Sequence, residues 1–184
     1  MKKIARYLIN HKRVIWPFKW QDHTYKSHVC GDSDWGGRTG SRKSTSGGVW
    51  MSGGHCIKTW SVTQGAYALS GAEAEFYAMI EAVQRAKGLR NLAVEVGFIE
   101  LENVVHIGTD SSAAKSFVGR QGLGKTKHLE ISDLWLQKEV RDGKGIVVKV
   151  LGTENPSDLG TKILNTAEIT ERLAGMSLEA VLGK

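Results

Sequence analysis

The feature that most narrows what this chain can fold into is a strand that stops on an acid. Residues 104–117, VVHIGTDSSAAKSF, run from β-branched positions into Asp110 and then into small residues that suit a helix start. Valine and isoleucine fit a buried, pleated surface, and the serines after Asp110 can cap a helix by accepting from its first free amides. A carboxylate at the carboxyl end of such a strand is either a helix cap or part of a site. The rest of the chain has to decide.

The elements around it follow from periodicity. Residues 1–12 place Ile4, Tyr7 and Leu8 on one helical stripe that Pro17 ends. Residues 25–32, YKSHVCGD, suit a first strand, and residues 46–62 suit two more around a Gly-Gly turn. Phe76, Met79, Ile80 and Val83, at helical spacing, predict a long helix over residues 70–96. A strand over 103–109, a short helix from Ser111 to Val118, a basic Gly-rich loop and a helix over 128–141 come next. A strand over 146–151 and a helix starting near Pro156 complete the order. This order predicts an α/β fold. Its core is a five-stranded mixed sheet, three antiparallel strands then two crossover-linked strands, covered by helices. Residues 166–184 have helical spacing and no readable motif.

Length and charge bound the function. At 184 residues the chain can bury a core without disulfides. Its two cysteines, Cys30 and Cys56, fall in different strands with no export signal before them, which favours a reduced, intracellular setting. No apolar run approaches the roughly 20 residues of a membrane span, so no membrane partner is expected. The net charge of +6 suits a polyanionic partner. Basic residues cluster at Arg38, Arg42 and Lys43 and again at Lys115, Arg120, Lys125, Lys127 and His128. His28, Cys30, His55 and Cys56 do not make a zinc site: neighbours on a strand point to opposite faces, and no C-x-x-C spacing exists. Trp50, Trp60 and Trp135 fall within elements and read as core rather than as base-stacking platforms.

The acids fall at one edge. Asp32 follows the first strand, Glu73 and Glu75 open the long helix, Asp110 follows the fourth strand, and Asp158 enters the last helix. Right-handed crossovers put the carboxyl ends of the first and fourth strands side by side, which brings Asp32 to Asp110. Adjacent carboxylates repel unless a cation holds them, and an all-oxygen cluster suits Mg²⁺ or Mn²⁺. Glu73 and Glu75 lie about 200° apart on a helix, so only one can face such ions, and periodicity alone does not choose between them.

Six segments in order, HVCGDSDWGG, RKSTSGG, ALSGAEAEFYAM, HIGTDSSAA, KTKHLEISDLWLQKEV and ENPSDLGTK, strongly resemble the ribonuclease H domain of copia-type retrotransposon Pol polyproteins. The resemblance covers about residues 28–164, and the helix KKIARYLI resembles the tail of the reverse transcriptase that precedes this domain. It implies a ribonuclease H-like fold, with a reverse transcriptase tail over 1–22, the ribonuclease H domain over 23–165 and a helical tail over 166–184. The implied activity is endonucleolytic cleavage of the RNA strand of RNA/DNA hybrids with two divalent ions, Mg²⁺ or Mn²⁺, leaving a 5′-phosphate and a 3′-hydroxyl. The implied catalytic and metal-holding residues are Asp110, Asp158, Asp32 in preference to Asp34, and Glu75 in preference to Glu73. The family's glutamate precedes an apolar residue and then alanines at +3 and +7, as Glu75 does with Phe76, Ala78 and Ala82.

Arg42, Lys43, Lys127 and His128 are the expected phosphate contacts, though His128 serves equally well as a helix cap or a member of a polar network. Hybrid duplexes are read by shape and phosphates, so low sequence specificity is expected. Implied partners are the hybrid and the reverse transcriptase domain of the same polyprotein, in the cytoplasm or in virus-like particles. Oligomeric state has no signal here. One departure stands out. Where many ribonucleases H carry a mobile histidine before the last aspartate, this chain has Gly152–Asn155, GTEN, which predicts slower turnover unless Glu154 substitutes. Two alternatives remain at this point, a non-catalytic nucleic-acid-binding remnant and a DNA-cutting nuclease of the same superfold.

Overall fold

The computed structural model describes residues 2–22, 26–97, 102–124 and 127–181, so Tyr25 and Lys125 lie outside the described residues. Three strands, β2 (Ser27–Asp34), β3 (Thr45–Ser52) and β4 (His55–Thr63), form an antiparallel meander. The Gly-Gly turn joins β3 to β4 with Gly53 at φ +57°, a conformation glycine reaches without a Cβ clash. β5 (Val105–Thr109) lies parallel to β2, and β6 (Gly145–Lys149) lies parallel to β5. The sheet order is therefore β4-β3-β2-β5-β6, the five-stranded mixed sheet that the order of elements predicted.

One face carries α2 (Gly71–Glu95), α3 (Ser112–Gly119) and α4 (Trp135–Arg141). Val29, Trp50, Phe76, Met79, Ile107 and Leu136 are buried between these helices and the sheet, with Trp60 in the same core and Trp135 packed against it. Along α2, Ala74, Ala78, Ala82 and Ala86 recur every four residues with no exposed surface, giving the helix a smooth seam. Gly31 of β2 meets that seam: a Cβ there would lie 3.1 Å from the Ala78 carbonyl oxygen. Small residues on both sides let the helix lie close to the strand, and this holds the first turns of α2, with Glu75, against the end of β2.

The opposite face is covered by α5 (Thr166–Gly175) and the residues after it. Leu173, Met176 and Leu178 pack there on Val49, Met51 and Cys56. Strand alternation explains the split, since Trp50 points to the first core and its neighbours Val49 and Met51 to the second. At the N-terminus, α1 (Lys2–Asn10) leads into β1 (Arg13–Ile15), which pairs antiparallel with β7 (Glu179–Val181).

Four expectations need correcting. The first strand runs two residues further than residue 32, ending at Asp34. The helix expected over 128–141 begins later, as a 3₁₀ turn at Ile131–Leu134 followed by α4, and the helix expected near Pro156 is a 3₁₀ turn, Pro156–Gly160, before α5. The C-terminal tail is helical only to Gly175, and its last described residues are strand. The pairing partner of that strand is near the other end of the chain, where local periodicity cannot register it. Among the described residues no helix is long and apolar enough to cross a membrane.

Candidate active site

Parallel pairing of β2 with β5 aligns their carboxyl ends, and Asp110 follows β5 directly. The helix after it is capped by Ser111, whose hydroxyl accepts from the Ala114 amide at 3.1 Å, so Asp110 is free of that duty. Asp32 projects from β2, and Asp158 comes from the 3₁₀ turn whose start is capped by Asn155, accepting from the Ser157 amide at 3.2 Å. Carboxylate oxygens of Asp32, Asp110 and Asp158 all lie within 4.8 Å of one another. Among the described residues this is the only group of three or more acids, histidines or cysteines so placed. Asp32 and Asp158 are 1% and 2% exposed, while Asp110 keeps a solvent-facing edge.

Glu75 does not join the set that closes to 4.8 Å, but it borders it. Its Oε1 accepts from the Ser33 amide at 3.4 Å, and its Oε2 is buried with no hydrogen-bond partner among the described residues. Burial raises its pKa to about 8, with the charges of Asp32 and Asp110 adding to the effect. Burial also raises Asp32, against the hydroxyl of Thr161 and the charge of Lys162, which lower it.

Glu73 is engaged elsewhere. Its amide donates to the Ser70 hydroxyl at 3.2 Å, its Oε2 accepts from the Leu69 amide at 3.1 Å, and the same oxygen meets His128 Nε2 at 2.9 Å. His128 therefore joins a polar network at the start of α2. Asp34 accepts from the Thr45 amide and closes the open end of the β2–β3 ladder. The structure thus turns Glu75 and Asp32 toward the cluster, and gives Glu73 and Asp34 local structural bonds.

Residues that periodicity did not single out complete the arrangement. Thr161 donates its hydroxyl proton to Asp32 Oδ2. The Lys162 ammonium lies 2.6 Å from Asp158 Oδ1, 3.4 Å from Asp32 Oδ1 and 3.9 Å from Asp110 Oδ2. Burial works against the Lys162 charge, but the bond to Asp158 and the fields of the three acids outweigh it and raise its pKa. From α5, the buried Arg172 guanidinium donates to Asp158 Oδ2 at 3.2 Å and to the carbonyls of Gly152 and Thr153, pinning the GTEN loop beside the acids. A buried carboxylate group is costly unless paired, and these are the groups that pair it. The donor set fits a hard divalent cation: three clustered aspartates, a fourth carboxylate with an orphaned buried oxygen, and an ammonium already drawn to the centre.

The basic residues lie on loops, outside the strands and helices. Arg42 is exposed at φ +57° in the β2–β3 loop. Lys43 donates to the Gly65 carbonyl at 2.6 Å and sits 5.0 Å over the Tyr67 ring. Lys127 is exposed beside His128. A cleft beside α2 is lined by residues that include Gln64, Tyr67, Glu73, Tyr77 and His128. Arg120, farther along, stacks over Phe117 at 4.1 Å.

No protein-family model matches the chain. Among curated proteins it is 30% identical over 178 residues to the retrovirus-related Pol polyprotein from transposon TNT 1-94 of Nicotiana tabacum, covering 96% of this chain and 13% of that polyprotein. A shorter match, 36% identical over 86 residues, takes in 47% of this chain and 60% of secreted RxLR effector protein 161 of Plasmopara viticola. The chain thus spans a small part of the polyprotein and under two thirds of the effector. Among solved structures, the N-terminal RNase H domain of Rv2228c from Mycobacterium tuberculosis, fused to maltose-binding protein, aligns at 15% identity over 84% of this chain and 98% of that one, with a TM-score of 0.46. Over nearly its whole length the chain is similar to one segment of a retrotransposon Pol polyprotein, and it folds around a five-stranded mixed sheet of order β4-β3-β2-β5-β6.

Proposed function

We propose that this chain is a divalent-metal-dependent ribonuclease H that hydrolyses the RNA strand of RNA/DNA hybrids, working beside a reverse transcriptase domain of the same retroelement polyprotein. The observation that carries the reading is the convergence of Asp32, Asp110 and Asp158, from three distant parts of the chain, to within 4.8 Å. In this reading Asp32, Glu75, Asp110 and Asp158 hold two ions, Mg²⁺ or Mn²⁺. Such ions, when bound, supply the positive charge that favours an attacking water and a leaving 3′ oxygen.

The chain's own residues set the stage. Arg172 and Thr161 fix one oxygen each of Asp158 and Asp32, so these carboxylates keep their orientation while their other oxygens face the centre. Glu75 holds a proton in the metal-free chain at neutral pH and must release it to serve as a ligand. Arg42, Lys43 and Lys127 offer charge to phosphates, which positions a duplex without reading its sequence. His128, held by Glu73 through Nε2, keeps 43% of its side chain exposed.

The test is a gel assay of end-labelled RNA/DNA hybrid, double-stranded DNA and double-stranded RNA with Mg²⁺ or Mn²⁺. The expected result is cutting of the hybrid's RNA strand alone, reduced at least about a hundredfold by Asp110→Asn. Hybrid binding without cutting by either metal would make the chain a non-catalytic remnant. Cutting of DNA but not hybrid would make it another nuclease of this fold.

A further inference from the structure

The position of Lys162 is not explained by the reading above. Lysine side chains at a cleft normally extend into water, yet this one folds back so that its single charge lies within 4 Å of three carboxylates. Its side chain is 41% exposed, so the ammonium is not trapped: it can leave toward solvent without disturbing the core. The charges are suggestive. Asp32, Asp110 and Asp158 face two cations, Lys162 and Arg172. Arg172 is 6% exposed and also bonded to the Gly152 and Thr153 carbonyls, so it is fixed. If Lys162 withdraws, the three aspartates face Arg172 alone, and a divalent ion can take the place that the ammonium leaves.

We infer that Lys162 is a built-in counter-cation of the acidic centre, one that a divalent ion must displace, and so a residue that sets the metal concentration at which the centre fills. The inference rests on the metal-dependent reading proposed above. In the metal-free chain the ammonium relieves repulsion among the acids and keeps them assembled. On metal entry it gives up three attractive contacts, and that loss is subtracted from the ion's gain. Its place four residues after Asp158, with Leu159, Gly160 and Thr161 between, lets one short turn deliver both the acid and its counter-ion.

The test measures binding and stability rather than turnover. Mn²⁺ is titrated calorimetrically into the full chain and into Lys162→Met, Lys162→Arg and Asp110→Asn, and each is melted in chelator and in Mg²⁺. Lys162→Met is expected to bind Mn²⁺ about tenfold more tightly, because a competing charge within 4 Å of the ligands is gone. It should also melt at lower temperature in chelator and gain more from Mg²⁺ than the parent does. Lys162→Arg, which keeps the charge, should stay near the parent. Unchanged or weaker Mn²⁺ binding by Lys162→Met, or equal tightening by Lys162→Arg, overturns the inference while leaving the nuclease reading intact. If the parent takes up no Mn²⁺ and Asp110→Asn behaves identically, the metal-dependent reading itself falls, and this inference with it.

Discussion

At the scale of single residues, Glu73 and Glu75 show how two acids one residue apart on the chain acquire opposite duties. Glu73 sits three residues after the cap Ser70 and accepts from the Leu69 amide, a variant of the capping box in which the carboxylate reaches back one residue further. Glu75, facing away from that cap, lies in the low-dielectric space beside Asp32 and Asp110. Glu75→Gln should therefore abolish hybrid cutting. Glu73→Gln should keep cutting within roughly tenfold and cost about 1 kcal/mol of stability through the weakened helix start. The two effects separate in a cleavage assay run alongside melting curves. A pH dependence follows from the same position. Glu75 has its pKa raised from 4.5 to about 8 in the folded, metal-free chain. Between those values the folded state holds a proton that the unfolded state has released, so this group makes stability fall as pH rises, by at most about 1.4 kcal/mol per unit. Urea unfolding in chelator from pH 5 to pH 8 should show that decline, with Asp32 contributing in the same direction. Glu75→Gln, which cannot ionise, should flatten it. Parallel curves for parent and variant would place Glu75 outside the buried centre.

At the scale of elements, the centre depends on how closely the 3₁₀ turn Pro156–Gly160 approaches β3. Gly47 of β3 pairs opposite Asp32, and a Cβ on it would lie 2.7 Å from the Ser157 carbonyl oxygen and 2.8 Å from Thr161 Cγ2. The nearer obstacle is backbone, which cannot swing aside as a flexible side chain would. Gly47→Ala should push the turn outward and carry Asp158, Thr161 and Lys162 away from Asp32 together. The expected outcome is a loss of about 1–3 kcal/mol in stability and a marked weakening of Mn²⁺ binding. Gly88→Ala is the control, since nothing lies within 4 Å of a Cβ at that position in α2. Unchanged Mn²⁺ binding in Gly47→Ala would mean that the turn is not held by this approach. This contact also marks how far the sequence could be read. Local periodicity was enough for α2 and β5, because each carries its apolar positions at its own helical or strand spacing. The aspartates were legible from strand ends and crossover handedness, and S-x-x-E at Ser70–Glu73 offered a local sign that Glu73 belongs to a cap. Gly47 of SGG was visible only as part of a motif, because the backbone that needs its missing side chain, at Ser157, arrives more than a hundred residues later. Lys162 was visible as the end of ENPSDLGTK, but its contacts with Asp32 and Asp110 exist only once three segments have met.

At the scale of the whole molecule, the two ends of the chain are tied to the domain rather than appended to it. β1 pairs with β7, and the Trp16 indole donates to the Cys56 carbonyl at 2.6 Å. The segment after residue 165 buries Leu173, Met176 and Leu178 against the face of the sheet that the other helices leave uncovered. The same segment supplies Arg172, the buried partner of Asp158 and of the loop before it. Helical spacing over 166–184 gave no hint of this, since an amphipathic stripe does not reveal which surface it covers. If residues 23–165 were a self-sufficient unit, a chain ending at Asn165 would melt as the full chain does. The packing argues otherwise: removal of the segment would bare Val49, Met51 and Cys56 and leave Asp158 without its fixed cation. The truncated chain is expected to lose cooperative melting. Leu173→Ala, a graded version of the same loss, is expected to cost about 2–4 kcal/mol. Below its melting temperature that variant should still bind Mn²⁺, because Arg172 remains. Arg172→Met should reverse the pattern: a well-filled site in the core, but a mispositioned Asp158 and weaker Mn²⁺ binding. Calorimetry on the three chains separates burial from positioning, and a truncated chain that melts sharply at the parent's temperature would return the segment to the status of a tail.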